Sequence, residues 1–275
     1  MSQVSSLMAG KRGLIMGVAN DHSIAWAIAK ACADHGAELA FTYQPGGFER
    51  RVRPLAESVG SPLVTPCSVE DDASIEAAFK AVGEVWDRLD FVVHAIAYSD
   101  KAQLKGRYVD TTRDNFAHTL DISCYSFTAV ARYAEPLMSE GGSLLTLSYE
   151  GAARVMPSYN VMGVAKAALE ASVRYLASDL GEQGIRVNAL SAGPMRTLAG
   201  SAISGARFTY NWQGKSSPLR RNVTPGEVGN SGLYLLSDLA AGVTGNVHFI
   251  DSGYHTIGMA IPDEPEISPP GTENS

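Results

Sequence analysis

The 275-residue sequence predicts an α/β fold: a parallel sheet covered by helices on both sides. Three observations carry that reading. Seven short β-rich runs alternate with helical patterns along nearly the whole chain, as repeated βαβ units require. The runs are mostly continuous apolar stretches, the signature of strands buried on both faces. Finally, 45% hydrophobic and 19% charged residues supply enough apolar surface for one large, well-packed domain.

The strands are expected at Leu14 to Met16, Leu39 to Tyr43, Leu63 to Thr65, Phe91 to His94, Ser143 to Leu147, Val187 to Leu190 and Val247 to Ile250. Between the first two, Ile24, Ile28, Ala31 and Cys32 recur on one helical face, and Gly36 supplies a stop. Arg50 and Arg51 fall in a further helical segment. Ala73 to Val85, Phe116 to Tyr133, Asn160 to Leu180 and Pro225 to Leu236 follow as helices, the last opened by Thr224 as N-cap and Pro225 at the first helical position. Right-handed crossovers make of these a single-domain, Rossmann-like, doubly wound parallel sheet of about seven strands over residues 1–260. Ala192 to Val223, rich in Gly, Ser and Thr, breaks the rhythm and reads as a lid over an active site. Residues 261–275, with four prolines and three glutamates, read as a disordered tail.

Charge and cysteines narrow the function. The 22 basic and 29 acidic side chains leave a net charge of -7, without the electrostatic footprint that binding nucleic acid needs. Cys32, Cys67 and Cys124 are odd in number and far apart, so neither a disulfide framework nor a zinc site is expected, and a cytoplasmic location follows. Met1 to Gly10 lacks a signal-peptide pattern, and no apolar stretch approaches the roughly 18 residues of a membrane span.

After the first strand, Gly17 to Ala25 places a glycine at a strand end and Ser23 at a helix start, six residues on. That arrangement suits an anion: Gly17 permits a tight turn, and Ser23 caps a helix whose free N–H groups face a pyrophosphate. It equally suits an ordinary loop with a serine cap. At the end of the second strand, where an acid would hold a ribose 2′-hydroxyl, Tyr43-Gln44 stands instead, so Gln44 is the candidate ribose or adenine contact. No cation follows it directly, which favours NADH over NADPH.

The fifth strand ends at Ser148-Tyr149, and Tyr159 stands seven residues before Lys166 at the start of the longest helix. Two helical turns return nearly to the same face, so both side chains are expected to look toward the strand ends. A phenol donates hydrogen bonds at neutral pH, and an adjacent ammonium would ease it toward phenolate, which is chemistry for a developing oxyanion. Taken singly, a surface lysine and packing tyrosines are the commoner case; here no Ser/His/Asp or metal-ligand set competes for the crevice. His94, closing a buried strand, reads as a core residue, and His22 as solvated.

These residues resemble the short-chain dehydrogenases/reductases, in particular the divergent branch of bacterial NADH-dependent enoyl-acyl carrier protein reductases. The resemblance covers nearly the whole chain. It rests on Gly17-Val18-Ala19 with Ser23-Ile24-Ala25, Phe41 to Gln44, Asp121-Ile122-Ser123, Leu147-Ser148-Tyr149, the spacing of Tyr159 and Lys166, and Ser191 to Ala199. Most short-chain dehydrogenases space tyrosine and lysine four apart, and here Met162 stands where that tyrosine would be. The resemblance implies that Tyr149 and Tyr159 are the active-site tyrosines and that Lys166 holds the nicotinamide ribose. It places Gly17, Ser23, Ile24, Gln44, Ser68, Val69, Ile96, Met195, Arg196, Thr197, Leu198 and Ala199 against the cofactor, and Ser99 against substrate, with no metal. The chain has Ser68 where the family often has Asp, which touches the adenine-edge hydrogen bond. It has Ala97-Tyr98 where Gly-Phe is frequent, which narrows the acyl pocket.

The expected function is therefore reduction of the trans-2 double bond of an enoyl thioester on acyl carrier protein, with Tyr159 stabilising the enolate or supplying its proton. A carbonyl reductase of the same fold and a non-catalytic NAD-binding regulator are the alternatives. A homotetramer is implied by the resemblance. Of the basic residues near the lid, Arg207, Lys215, Arg220 and Arg221 are the candidates to meet an acidic carrier protein.

Overall fold

The computed structural model describes residues 6–197 and 205–259. Its seven strands are β1 (Arg12–Met16), β2 (Glu38–Tyr43), β3 (Val64–Pro66), β4 (Phe91–His94), β5 (Gly142–Ser148), β6 (Ile185–Ala192) and β7 (Val247–Ile250). They form one sheet in the order β3-β2-β1-β4-β5-β6-β7, every neighbouring pair parallel. Strand order reverses beside β1, where Ile15 pairs with Phe41 on one side and Val93 on the other. In open sheets of this kind the crevice at that reversal, outside the carboxyl ends, is where ligands bind.

The helices are α1 (Ile24–Asp34), α2 (Glu49–Ser58), α3 (Asp72–Val85), α4 (Arg113–Leu120), α5 (Ser126–Ala134), α6 (Asn160–Leu180), α7 (Ala206–Ser216) and α8 (Pro225–Leu236). Successive strand residues feed opposite faces. Leu14, Met16, Val92 and Leu144 pack with Phe79, Phe127, Leu169 and Val173 from α3, α5 and α6. Ile15, Val93 and Leu145 pack with Ile28, Val52 and Leu235 from α1, α2 and α8. Phe41 and Phe91 are fully buried in this second layer, and truncating either to alanine would cost about 3–5 kcal/mol. Helices α1 and α8 approach closely because Gly229 has no side chain: a Cβ there would lie 2.5 Å from the Ala27 carbonyl oxygen. Thr224 accepts from the Glu227 N–H and Glu227 reaches back to the Thr224 N–H, a complete capping box at α8.

Three expectations need correction. The helix expected from Phe116 to Tyr133 is α4 and α5 joined by a π-helical turn over Asp121–Tyr125. Ser123 Oγ accepts from the Tyr98 N–H and donates to the Tyr98 carbonyl, so contacts from a distant loop hold the wide turn open. Strand β6 is twice its expected length, because Ile185 and Arg186 pair with Gly142 and Ser143 at one end while Ser191 and Ala192 pair with Phe249 and Ile250 at the other. The segment expected as an irregular lid contains α7, where Phe208 and Trp212 stack at i, i+4 outside while Gln213 and Ser216 are buried beneath. Gly, Ser and Thr around it hid that helix. Residues 198–204, and 261–275 with their disorder call, lie outside the described residues.

Candidate active site

Sequence-distant residues converge on the carboxyl edge of the sheet. Gly17 follows β1 with φ +96°, and a Cβ on it would stand 2.1 Å from the Ala95 carbonyl oxygen just beyond β4. The glycine therefore lets two backbones close over the crevice, a closer reason for it than the ligand. Gln44 follows β2 and is exposed; Ser68 and the buried Val69 follow β3; Ile96 follows β4 and is half-buried. Ser68 N–H is held by Ser74 Oγ. Met195, Arg196 and Thr197 follow β6, with the Arg196 guanidinium 5.0 Å from the Tyr210 ring on α7. Leu198 and Ala199 lie outside the described residues.

Ser23 stands at the N-cap of α1 but does not cap it. Its hydroxyl instead accepts from the N–H groups of Ala19 and Asn20, at 3.0 and 3.1 Å, and so knots the turn after Gly17. Helix α1 is left with no side-chain cap and no acid in its first turn. The free first-turn N–H groups, Ile24's included, are the donor set that a pyrophosphate requires. His22 is exposed as expected.

Tyr149 leaves β5 and Tyr159 precedes α6, and their rings meet edge to face, 5.1 Å apart at 71°. Tyr159 is pinned from both sides of the chain: Ser158 and Asn160 adopt left-handed φ values of 58° and 40°. Such backbone persists where surrounding structure over-determines it, and here Asn160 Nδ2 reaches the Leu104 and Gly106 carbonyls, each at 3.3 Å. A Cβ on Gly151 would strike the Tyr159 ring at 2.4 Å, so the glycine makes room for it.

The expected easing of Tyr159 by Lys166 is not what the geometry gives. Burial is the main cause that raises the Tyr159 phenol, aided by Tyr149 and Glu170, and the phenol stays a neutral donor. No described group hydrogen-bonds it. Lys166 does not look outward: it is 6% exposed and its Nζ donates to the Leu147 carbonyl at 2.7 Å. Burial brings its ammonium down to about 8, against the pull of Cys124 and Glu170.

Three participants were missed in the sequence. Glu170, one turn beyond Lys166, accepts from Ser148, and its carboxyl is held above the usual range by burial. The i+4 spacing from Lys166 was the available signal for Glu170. Gln213, on α7, donates to the Tyr149 hydroxyl at 2.9 Å, and nothing local to its sequence announces that contact. Asn160, whose amide braces Tyr159, is the third. Ser99 is buried and tied to α4, its oxygen 2.8 Å from Thr119 Oγ1 and 3.3 Å from Asn115 Nδ2. The Tyr98 ring lies against His118.

The family model described as enoyl-(acyl carrier protein) reductase matches residues 17–255. Over 268 residues the chain is 62% identical to enoyl-(acyl-carrier-protein) reductase (NADH) 1 of Rhizobium meliloti, with 98% of each chain covered. The enoyl-(acyl-carrier-protein) reductase of Anaplasma phagocytophilum, solved in complex with NAD, superposes with a TM-score of 0.91 at 59% identity, covering 94% of this chain and 98% of that one. The Bacillus cereus enoyl-acyl carrier protein reductase, solved with NADP+ and indole naphthyridinone, gives 0.90 at 48% identity over 92% and 99%.

Proposed function

The chain belongs to the enoyl-(acyl carrier protein) reductase family, and from that membership we infer which of its own residues do the work. The reaction is the NADH-dependent reduction of the trans-2 double bond of an enoyl thioester on acyl carrier protein, within fatty acid synthesis. When bound, NADH supplies the hydride to the β-carbon.

The phenol of Tyr159 carries our assignment: it is buried, kept neutral, free of any described hydrogen-bond partner and fixed between two strained residues. A donor held ready in this way stabilises the charge that gathers on the thioester oxygen as the enolate forms. Tyr149 flanks the same oxygen. Lys166, anchored through one N–H to Leu147, has two left to hold ribose hydroxyls. Ile24 and the rest of the first turn of α1, with Gly17 and Ser23 shaping the turn before it, hold the pyrophosphate. Gln44, Ser68 and Val69 line the adenosine side, and Ile96 with Met195 to Ala199 the nicotinamide side. Ser99 shapes the acyl mouth.

Helix α7 and its flanks form the lid, within one catalytic domain over residues 1–260. The charge that meets an acidic carrier protein is local, on Arg196, Arg207 and Arg220, because Arg221 is neutralised by a two-pronged pair with Glu227. Cys32 and Cys67, buried and unbridged, fit a cytoplasmic protein, and no described helix is long and apolar enough to cross a membrane. We place the chain in a homotetramer, which sedimentation velocity reads as about four times the chain mass.

NADH oxidation assayed with a crotonyl thioester, with an acetoacetyl thioester and with neither decides the reaction. Oxidation is expected with the first alone; preference for the acetoacetyl substrate would make the chain a carbonyl reductase.

A further inference from the structure

The amide of Gln213 is inside the protein, 2% exposed, and its Nε2 donates to the Tyr149 hydroxyl at 2.9 Å. Its Oε1 is buried and has no hydrogen-bond partner among the described residues. An unpaired buried acceptor weakens a fold, so packing alone would favour an apolar side chain here. What the polar head does gain is control of one oxygen. A phenol has one proton to give, and an N–H donated to its oxygen turns that proton away from the amide. Tyr149 is protonated at working pH, burial being the main cause, with Tyr254, Glu150 and Asp251 adding to it. The Tyr149 ring meets the Tyr159 ring edge to face at 5.1 Å, and the Tyr159 phenol has no described hydrogen-bond partner.

We propose that Gln213 is a positioning residue for the reduction: by donating to the Tyr149 oxygen it aims the Tyr149 proton at the thioester oxygen, which then receives two donors instead of one. This rests on the reading of Tyr149 and Tyr159 as the tyrosines flanking the thioester. It also makes α7 part of the catalytic apparatus, since the second donor is aimed only while that helix is seated.

The parent, Gln213→Met, Tyr149→Phe and the double variant are compared by NADH fluorescence titration, turnover of a crotonyl thioester and melting temperature. Gln213→Met is expected to keep the NADH affinity and to melt no lower than the parent, while kcat falls by about 3- to 10-fold, the size of one misdirected hydrogen bond. Added to Tyr149→Phe it should bring no further loss, because the proton it orients is gone. Gln213→Glu keeps the shape but only accepts, so it should draw the Tyr149 proton onto itself and fall below Gln213→Met. Parent-level turnover in Gln213→Met overturns the proposal. So does an equal fractional loss in both backgrounds, which marks a packing effect, whatever the melting temperature. Parent-level turnover in Tyr149→Phe overturns the reading of Tyr149 itself, and that single variant tells the two failures apart.

Discussion

Tyr149 and Tyr159 touch edge to face across 5.1 Å although one ends a strand and the other opens a helix. Each ring supports the other, so deleting either ring would confound chemistry with packing. Phenylalanine keeps the contact and removes only the hydroxyl. Tyr159→Phe should bind NADH as the parent does and lose turnover by roughly 10²-fold, the usual cost of an oxyanion donor. Tyr149→Phe should lose less. Full turnover in Tyr159→Phe, measured with a crotonyl thioester, would sink the oxyanion role.

Lys166 should show the opposite split. Lys166→Ala is expected to weaken NADH binding itself, and in the parent the affinity should decline as pH rises through about 8, where the buried ammonium loses its proton. His94, Cys124 and Glu170 are the titratable groups around it. The linkage to stability has a definite sign. Between about 8 and the ordinary lysine value of 10.5 the unfolded chain holds a proton that the fold has released, so this residue makes stability rise with pH in that window. Fluorescence titrations from pH 7 to 9.5 check the first claim; a flat profile in the parent, or one unchanged in Lys166→Ala, removes it.

Much of this was legible in the sequence because buried parallel strands write themselves as apolar runs and a long amphipathic helix writes its period. Helices α6 and α8 start and stop where their residues say. What stayed hidden is decided at long range. Ser23 looks like a cap, yet its hydroxyl turns back to Ala19 and Asn20. Lys166 shares a helical face with Tyr159 on paper, yet its ammonium is claimed by the Leu147 carbonyl. The π turn exists because Tyr98, far along the chain, bonds Ser123. Gln213 reaches Tyr149 across 64 residues of sequence.

Cofactor choice should follow Gln44. It is neutral, and of the arginines that follow it Arg53 pairs with Glu49 and the Arg51 guanidinium lies 5.9 Å from the Phe48 ring. NADH is expected to have the higher kcat/KM, while Gln44→Arg should raise kcat/KM for NADPH. The Bacillus cereus relative solved with NADP+ makes the measurement worthwhile. Equal or better kcat/KM with NADPH in the parent would mean that Arg50 or Arg51 swings to the 2′-phosphate.

Amides of α7 should exchange more slowly once NADH and an acyl thioester analogue are bound, because the helix lies over the site with Phe208 and Trp212 exposed, and side-chain bonds such as Gln213 to Tyr149, Asn222 to the Tyr210 carbonyl and Arg220 to the Lys215 carbonyl tie it down. Hydrogen exchange followed by mass spectrometry resolves residues 206–216. Unchanged protection there would leave α7 as a permanently packed wall of the site.

His94 sets the acid limit of the fold. It is fully buried, and its Nε2 is 2.8 Å from Ser126 Oγ, whose own proton goes to the Ile122 carbonyl at 2.6 Å. Nδ1 faces Thr146 Oγ1 at 3.2 Å, and the Thr146 hydroxyl donates to the His94 carbonyl. The charged ring is opposed by burial, with the Lys166 charge behind it, which together bring the imidazole down to about 3. As pH falls below 6.5 the unfolded chain takes up a proton that the fold refuses, so stability declines by up to about 1.4 kcal/mol per pH unit. Glu150 and Glu170 work the other way near their own range, since burial lifts both carboxyls and the fold then holds protons the unfolded chain has lost. The histidine contribution is therefore cleanest between pH 6.5 and about 5. Urea midpoints for the parent and His94→Gln across that interval should show a shallower decline in the variant, even if it starts from lower stability. Equal slopes would mean that the His94 pocket opens to water before the imidazole is charged.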